Sequence, residues 1–162
     1  MKHWGVWGDY AKSFRMTKRM EDDLAIANPW VEKNERLFKE LSNVLRMVDP
    51  TQYVHCRNGF QELWDKEKGP DGNPLKPIGG IWHTLALNMG QVRDASKVHL
   101  DWKDNKSTFN CVVPWGSWKG GDMILWPLKM RIQIQEGEGF MFLGGLIAHS
   151  VTMLTDGMIS TL

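Results

Sequence analysis

His99-Leu100-Asp101 sets an imidazole and a carboxylate two residues apart. On an extended segment alternate side chains share a face, so both groups project into one space. A second imidazole from a neighbouring strand would complete a 2-His-1-carboxylate triad. That set holds a divalent iron on one side and leaves the other side open. His149, inside the run IAHSVTM, is the expected partner, far enough downstream for the chain to pass through several strands and return alongside. An HxD alone is a weak motif. Here both histidines stand in runs with a strand pattern, whereas His3, His55 and His83 lack such a partner and are expected to be structural.

The elements that must position these groups follow from periodicity. After Pro77 come short β-type runs at 81–88, 96–102, 107–115, 122–127, 130–135, 139–144, 147–153 and 157–162, separated by Gly, Asn and Asp. Several alternate apolar and polar residues, the period of a strand with one buried face. Short strands in succession with no helical interruption argue for a sandwich or small barrel. The first third reads as helical. A helix over 16–27 is expected to break at Asn28-Pro29, because a residue before proline avoids the helical region. In the next helix Leu37, Leu41, Val44, Leu45 and Val48 form one apolar stripe, closed by Pro50. A short helix is expected around Phe60 to Trp64. GPDGNPLKP, Gly69 to Pro77, is a loop by its turn chemistry. The expectation is α+β: a single domain over 1–162, with a helical layer (1–68), a loop (69–77) and a β core (78–162).

Composition bounds the function. The 162 residues are 42% hydrophobic and 24% charged, as in a globular domain. With 20 Lys plus Arg against 19 Asp plus Glu, the chain is no polycation, so contact with nucleic acid must rest on a local patch. Cys56 and Cys111 match no zinc spacing and read as thiols in a reducing compartment. The apolar run from Gly139 to Ala148 is about half a membrane span, and the N-terminus lacks the apolar region of a signal peptide. An intracellular protein, nuclear or cytoplasmic and without a membrane segment, is expected. The nine Trp either pack a core or offer stacking surfaces. Lys97, Lys103, Lys106 and Lys119 interleave with Trp102, Trp115 and Trp118. Of these, Lys103, Lys106, Trp118 and Lys119 are the candidates for DNA or RNA contact. Trp102 alternates with Asp101 and is expected to face away and pack, as is Trp126.

From about Trp82 onward the chain resembles a known family. HLDWKDN, CVVPWGSWKGGDMILWPLKMRIQIQEGEGFMFLGGLIAHSVT and their order resemble the TET/JBP-like nucleic-acid oxygenases, especially the fungal type, within the 2-oxoglutarate/iron(II) dioxygenases. The shared features are the HxD of His99 and Asp101, Gly120-Gly121-Asp122, Gly137-Glu138, Phe140 and Phe142, and the distal His149. The resemblance implies a double-stranded β-helix, with Fe(II) held by His99, Asp101 and His149 and 2-oxoglutarate as cosubstrate. It also implies oxidation of a methyl group on a base of the 5-methylcytosine or N6-methyladenine type. Asn88 stands where related AlkB-like enzymes carry an Asn that contacts the cosubstrate. The family's usual Arg after the distal His is missing: Met158 and Ile159 occupy its region, and Ser160 matches the neighbouring hydroxyl. Arg93 or Arg131 would then supply the cation. The alternatives are the same cofactors acting on a protein side chain or small molecule, or a degenerate domain that keeps its metal and only binds.

Overall fold

A computed structural model describes residues 2–7, 15–66, 68, 72, 81–91, 93 and 95–161. It is α+β and divides into two compact units, Lys2–Ala86 and Leu87–Leu162. Except for Gly72, the expected loop at 69–77 lies outside the described residues.

The first unit holds a strand pair, β1 (Lys2–Trp7) with β2 (Arg15–Met16), and three helices, α1 (Lys18–Lys33), α2 (Glu35–Val48) and α3 (Pro50–Lys66). Thr17 caps α1 by accepting the Met20 N–H at 3.2 Å. The expected break at Pro29 does not occur, and α1 runs on to Lys33. Proline costs the helix a hydrogen bond to the carbonyl four residues back, but Ala25 and Pro29 both lie at the exposed surface, where water can take that carbonyl. Trp30, just beyond, holds the helix end through edge contacts with Trp4 and Phe38. On α2 the buried stripe is Phe38, Leu41, Ser42 and Leu45, while Val44 and Val48 are exposed. The apolar face is therefore rotated from the expected one, because Ser42 is admitted to it by donating to the Phe38 carbonyl at 2.7 Å. α3 is far longer than a short helix at 60–64. Pro50 sits at its first position, where the missing N–H costs nothing, and Asp49 accepts the Gln52 N–H at 2.9 Å.

The strands that follow are β3 (Thr84–Gly90), β4 (Asn110–Val112), β5 (Pro114–Gly120), β6 (Met123–Leu125), β7 (Met130–Ile132), β8 (Phe140–Phe142), β9 (His149–Val151) and β10 (Leu154–Thr161). Their antiparallel pairing is nested. β3 pairs with β10, the segment at His99 with β9, β4 with β8, and β6 with β7. First meets last and the middle pair meets itself, which is a long hairpin rolled into a double-stranded β-helix. β10 also pairs with β5, and β9 with β6. The core is Met123, Leu125 and Phe142, packed with Val112, Ile132, Ile134, Phe140 and Ile147. Each such side chain, once fully buried, contributes roughly 1.5–3 kcal/mol. The β5–β6 corner turns through Gly120 and Gly121, both at positive φ (78° and 71°), a conformation that glycine adopts without strain.

Candidate metal centre

His99 and His149 lie directly opposite one another. Each backbone N–H donates to the other's carbonyl at 2.9 Å, so both imidazoles leave the same face of the pairing. Their ring centroids are 4.3 Å apart. Asp101, two residues on, is pinned by its N–H to the Gly144 carbonyl at 3.0 Å. Its Oδ1 is 3.8 Å from His99 Nε2, and its Oδ2 is 3.8 Å from His149 Nε2. The three residues each offer a ligand atom, all within 4.8 Å of one another.

The backbone sets the tautomers. His99 Nδ1 lies 2.7 Å from the Lys97 carbonyl and His149 Nδ1 2.9 Å from the Ile147 carbonyl. A carbonyl only accepts, so both Nδ1 atoms carry a proton, and in the neutral ring each Nε2 is the nitrogen left to present a lone pair to the cluster. At 3.8 Å neither Nε2 is hydrogen-bonded to the carboxylate. Two imidazole nitrogens and a carboxylate converge without a hydrogen bond joining them, a donor set that fits a divalent first-row metal. Burial is graded: side-chain exposure is 7% at His149, 30% at Asp101 and 45% at His99. The cluster is thus closed at His149, against the edge of Phe142 (centroids 4.8 Å), and open at His99.

No family model and no curated protein matches the chain. Among solved structures it is similar to NgTET1 in complex with 5mC DNA, with a TM-score of 0.71 at 17% identity over 99% of this chain. The fold is TET-like. The match spans 58% of the NgTET1 chain, less than two thirds of its length. At that identity the likeness speaks for architecture. Within this TET-like fold, the two histidines and the aspartate are the described group of His, Cys, Asp or Glu able to hold a metal.

The other expected site residues lie on β3, on the turn after it, on β7 and on β10. Asn88 is half-buried on β3, opposite Thr161, on the face shared with Gly90, Ile159 and the buried Leu154. Ser160 is exposed and pairs with Met89 and Trp115, so it occupies the other face of β10 from Ile159 and Thr161. Arg131 pairs across β6 with Ile124, which itself pairs with Ser150; it is on the opposite face of that sheet from His149. Its Nε and Nη2 donate to Asp122 Oδ2 at 2.5 Å. Arg131 is therefore turned away from His149, and Ser160 from the face of Ile159 and Thr161. The alternation in MRIQIQ already carried the signal for Arg131, since Met130 and Ile132 share the apolar side. Arg93 is exposed at φ 74° on the turn after β3, its N–H donating to the Leu154 carbonyl at 2.9 Å.

Among the candidates for nucleic-acid contact, Lys119 is exposed but paired with Asp156 at 3.4 Å, and Trp118 is half-buried on β5. Lys103 and Lys106 are exposed on the turns that follow Asp101. Trp102 corrects the expectation of packing: it is 77% exposed. The chain turns at once after Asp101, with Trp102 N–H on the Leu100 carbonyl and Asp104 N–H on the Asp101 carbonyl, so strand alternation does not extend to it. Trp126 is also half in solvent, its Nε1 donating to Ser150 Oγ at 3.0 Å. Both thiols are free, and burial pushes that of Cys111 up to about 11. No helix among the described residues is long and apolar enough to cross a membrane.

Proposed function

We propose that the chain is an Fe(II)- and 2-oxoglutarate-dependent oxygenase that oxidises a methyl group on a nucleic-acid base, of the 5-methylcytosine or N6-methyladenine type. The observation that carries this reading is the convergence of His99 Nε2, His149 Nε2 and the Asp101 carboxylate at an opening of a TET-like fold. The 5mC DNA in the NgTET1 complex supports a methylated base as the substrate class.

His99, Asp101 and His149 would hold the iron. Bound iron with 2-oxoglutarate and dioxygen supplies oxidation of an unactivated C–H bond, chemistry no side chain performs. The chain's own groups orient and exclude. His149 and Phe142 close the inner side. The Lys97 and Ile147 carbonyls keep the imidazoles in the ligating tautomer. The exposed edge at His99 is the approach for cosubstrate and base. Asn88 offers an amide to the cosubstrate. With Arg131 bound to Asp122, we assign Arg93 as the cation for its far carboxylate. Trp102, Lys103 and Lys106 extend an indole and two ammonium groups beyond Asp101, suited to a displaced base and its phosphates.

A second reading is a domain that keeps the metal but does not turn over, favoured by the lack of any Lys or Arg after His149. Anaerobic titration with Fe(II) and then 2-oxoglutarate separates the two. A visible metal-to-ligand charge-transfer band that is lost in His149→Ala is expected, followed by oxidised base when methylated oligonucleotide and air are added. Iron uptake without the band would overturn the enzyme reading.

A further inference from the structure

Behind Asp101 lies a second layer that the HxD motif does not announce. Asn110, half-buried on β4, donates its Nδ2–H to Asp101 Oδ2 at 3.0 Å and to Asp104 Oδ2 at 2.5 Å. The amide orientation follows from chemistry: reversed, its oxygen would face two carboxylates that only accept. Asn110 is placed by its register with Phe142, the ring that meets His149. Gly144 completes the cradle. A Cβ at Gly144 would collide with Asp101 Oδ2 and stand 2.7 Å from Asn110 Nδ2. The Gly144 carbonyl meanwhile takes the Asp101 N–H. Oδ2 of Asp101 is thus engaged from behind, while Oδ1 has no such partner among the described residues and lies toward the more exposed His99.

We propose that Asn110 is a positioning residue that reserves Asp101 Oδ2, so that Asp101 ligates the metal through Oδ1 alone. This rests on the metal reading above and adds to it. Carboxylates bind metals through one oxygen or two, and a chelating Asp101 would occupy a coordination position that a one-oxygen ligand leaves free. Asn110 would therefore act on the number of open positions as well as on affinity. Partners of this kind, when removed, typically cost roughly 10–100-fold in metal affinity.

The test uses Co(II) as the probe, with the full chain, Asn110→Ala, the similarly sized but donorless Asn110→Leu, and Asp104→Ala. Thermal unfolding identifies which variants fold, and Asn110→Leu stands in if Asn110→Ala does not. The expected result is a loss of Co(II) affinity of about 10–100-fold in the Asn110 variants, together with a changed visible absorption spectrum as the carboxylate alters its mode of binding. Asp104→Ala should keep the parental spectrum. Parental affinity and spectrum in a folded Asn110 variant would overturn the role of Asn110. Weaker binding with an unchanged spectrum would also overturn it, because loosened packing alone produces that. A parent chain that takes up no Co(II) overturns the metal reading itself, and this inference with it.

Discussion

His99 and His149 exchange two backbone hydrogen bonds of 2.9 Å, so the two imidazoles of the cluster are joined through the main chain itself. The pairing is a single bridge, extended on one side by Ser96, which receives the Val151 N–H on its hydroxyl at 2.6 Å, and on the other by Asp101 on Gly144. Two side chains preset on one face need little reorganisation to bind a cation.

The ligands should separate by their burial. His99→Ala and Asp101→Ala remove groups that are 45% and 30% exposed, and are expected to abolish metal binding with little change in Tm. His149 is buried against Phe142, so His149→Ala should abolish binding and also cost about 1–3 kcal/mol of stability. Metal titration beside thermal unfolding checks this. If His99→Ala retains parental affinity, the triad is wrong.

Arg131 and Arg93 give opposite expectations. Arg131 is the ion-pair partner of Asp122, a buried residue, so Arg131→Ala should lower stability by about 1 kcal/mol and leave 2-oxoglutarate affinity unchanged. Arg93→Ala should weaken 2-oxoglutarate binding by roughly tenfold or more, as expected for loss of a charge-assisted bond, and spare stability. The charge-transfer band, titrated with 2-oxoglutarate in each variant, decides between them. A loss of affinity confined to Arg131→Ala would refute the assignment.

What could be read from the residues, and what could not, divides along a physical line. The HxD, its distant histidine and most of the strand runs are local patterns of period two, and the nested pairing respects them, but the expected run at 96–102 keeps only the single bridge at His99 and turns after Asp101, and β5 extends to Gly120, beyond the run expected at 107–115. The face of Ser160 depends on register with β3 and β5, a long-range property. The position of Trp102 depends on a turn that begins one residue after the motif. Helix α1 runs through Pro29 because Ala25 and Pro29 face solvent and the contacts of Trp30 with Trp4 and Phe38 outweigh a local propensity. Asn110 and Gly144 were missed because their importance lies in closeness to Asp101 across the fold, and no spacing in the chain expresses that.

Acid should destabilise the first unit through His83. Burial lowers the pKa of His83 below its ordinary 6.5, against a smaller opposing effect of the Cys56 backbone. The unfolded chain then binds more protons than the folded one, so stability is full above about pH 6.5 and falls as the pH drops beneath it. His83→Gln should flatten the decline of Tm between about pH 7 and 5 in metal-free protein. Parallel pH profiles for parent and variant would contradict this.

Nucleic-acid contact is testable apart from catalysis. Trp102 is an exposed indole next to Asp101, and stacking of one base is worth roughly 1–3 kcal/mol. Trp102→Ala should therefore weaken binding of a 5-methylcytosine oligonucleotide about tenfold or more at every salt concentration. Lys106→Ala should act differently, reducing the slope of log affinity against log salt by about one. Trp118→Ala, at a half-buried β5 position, should affect stability more than binding. Fluorescence anisotropy at several salt concentrations measures all three. If Trp102→Ala and Lys106→Ala bind as the parent does while the metal centre remains intact, nucleic acid does not approach over this rim. The substrate would then be a protein side chain or a small molecule, reached through the same opening at His99.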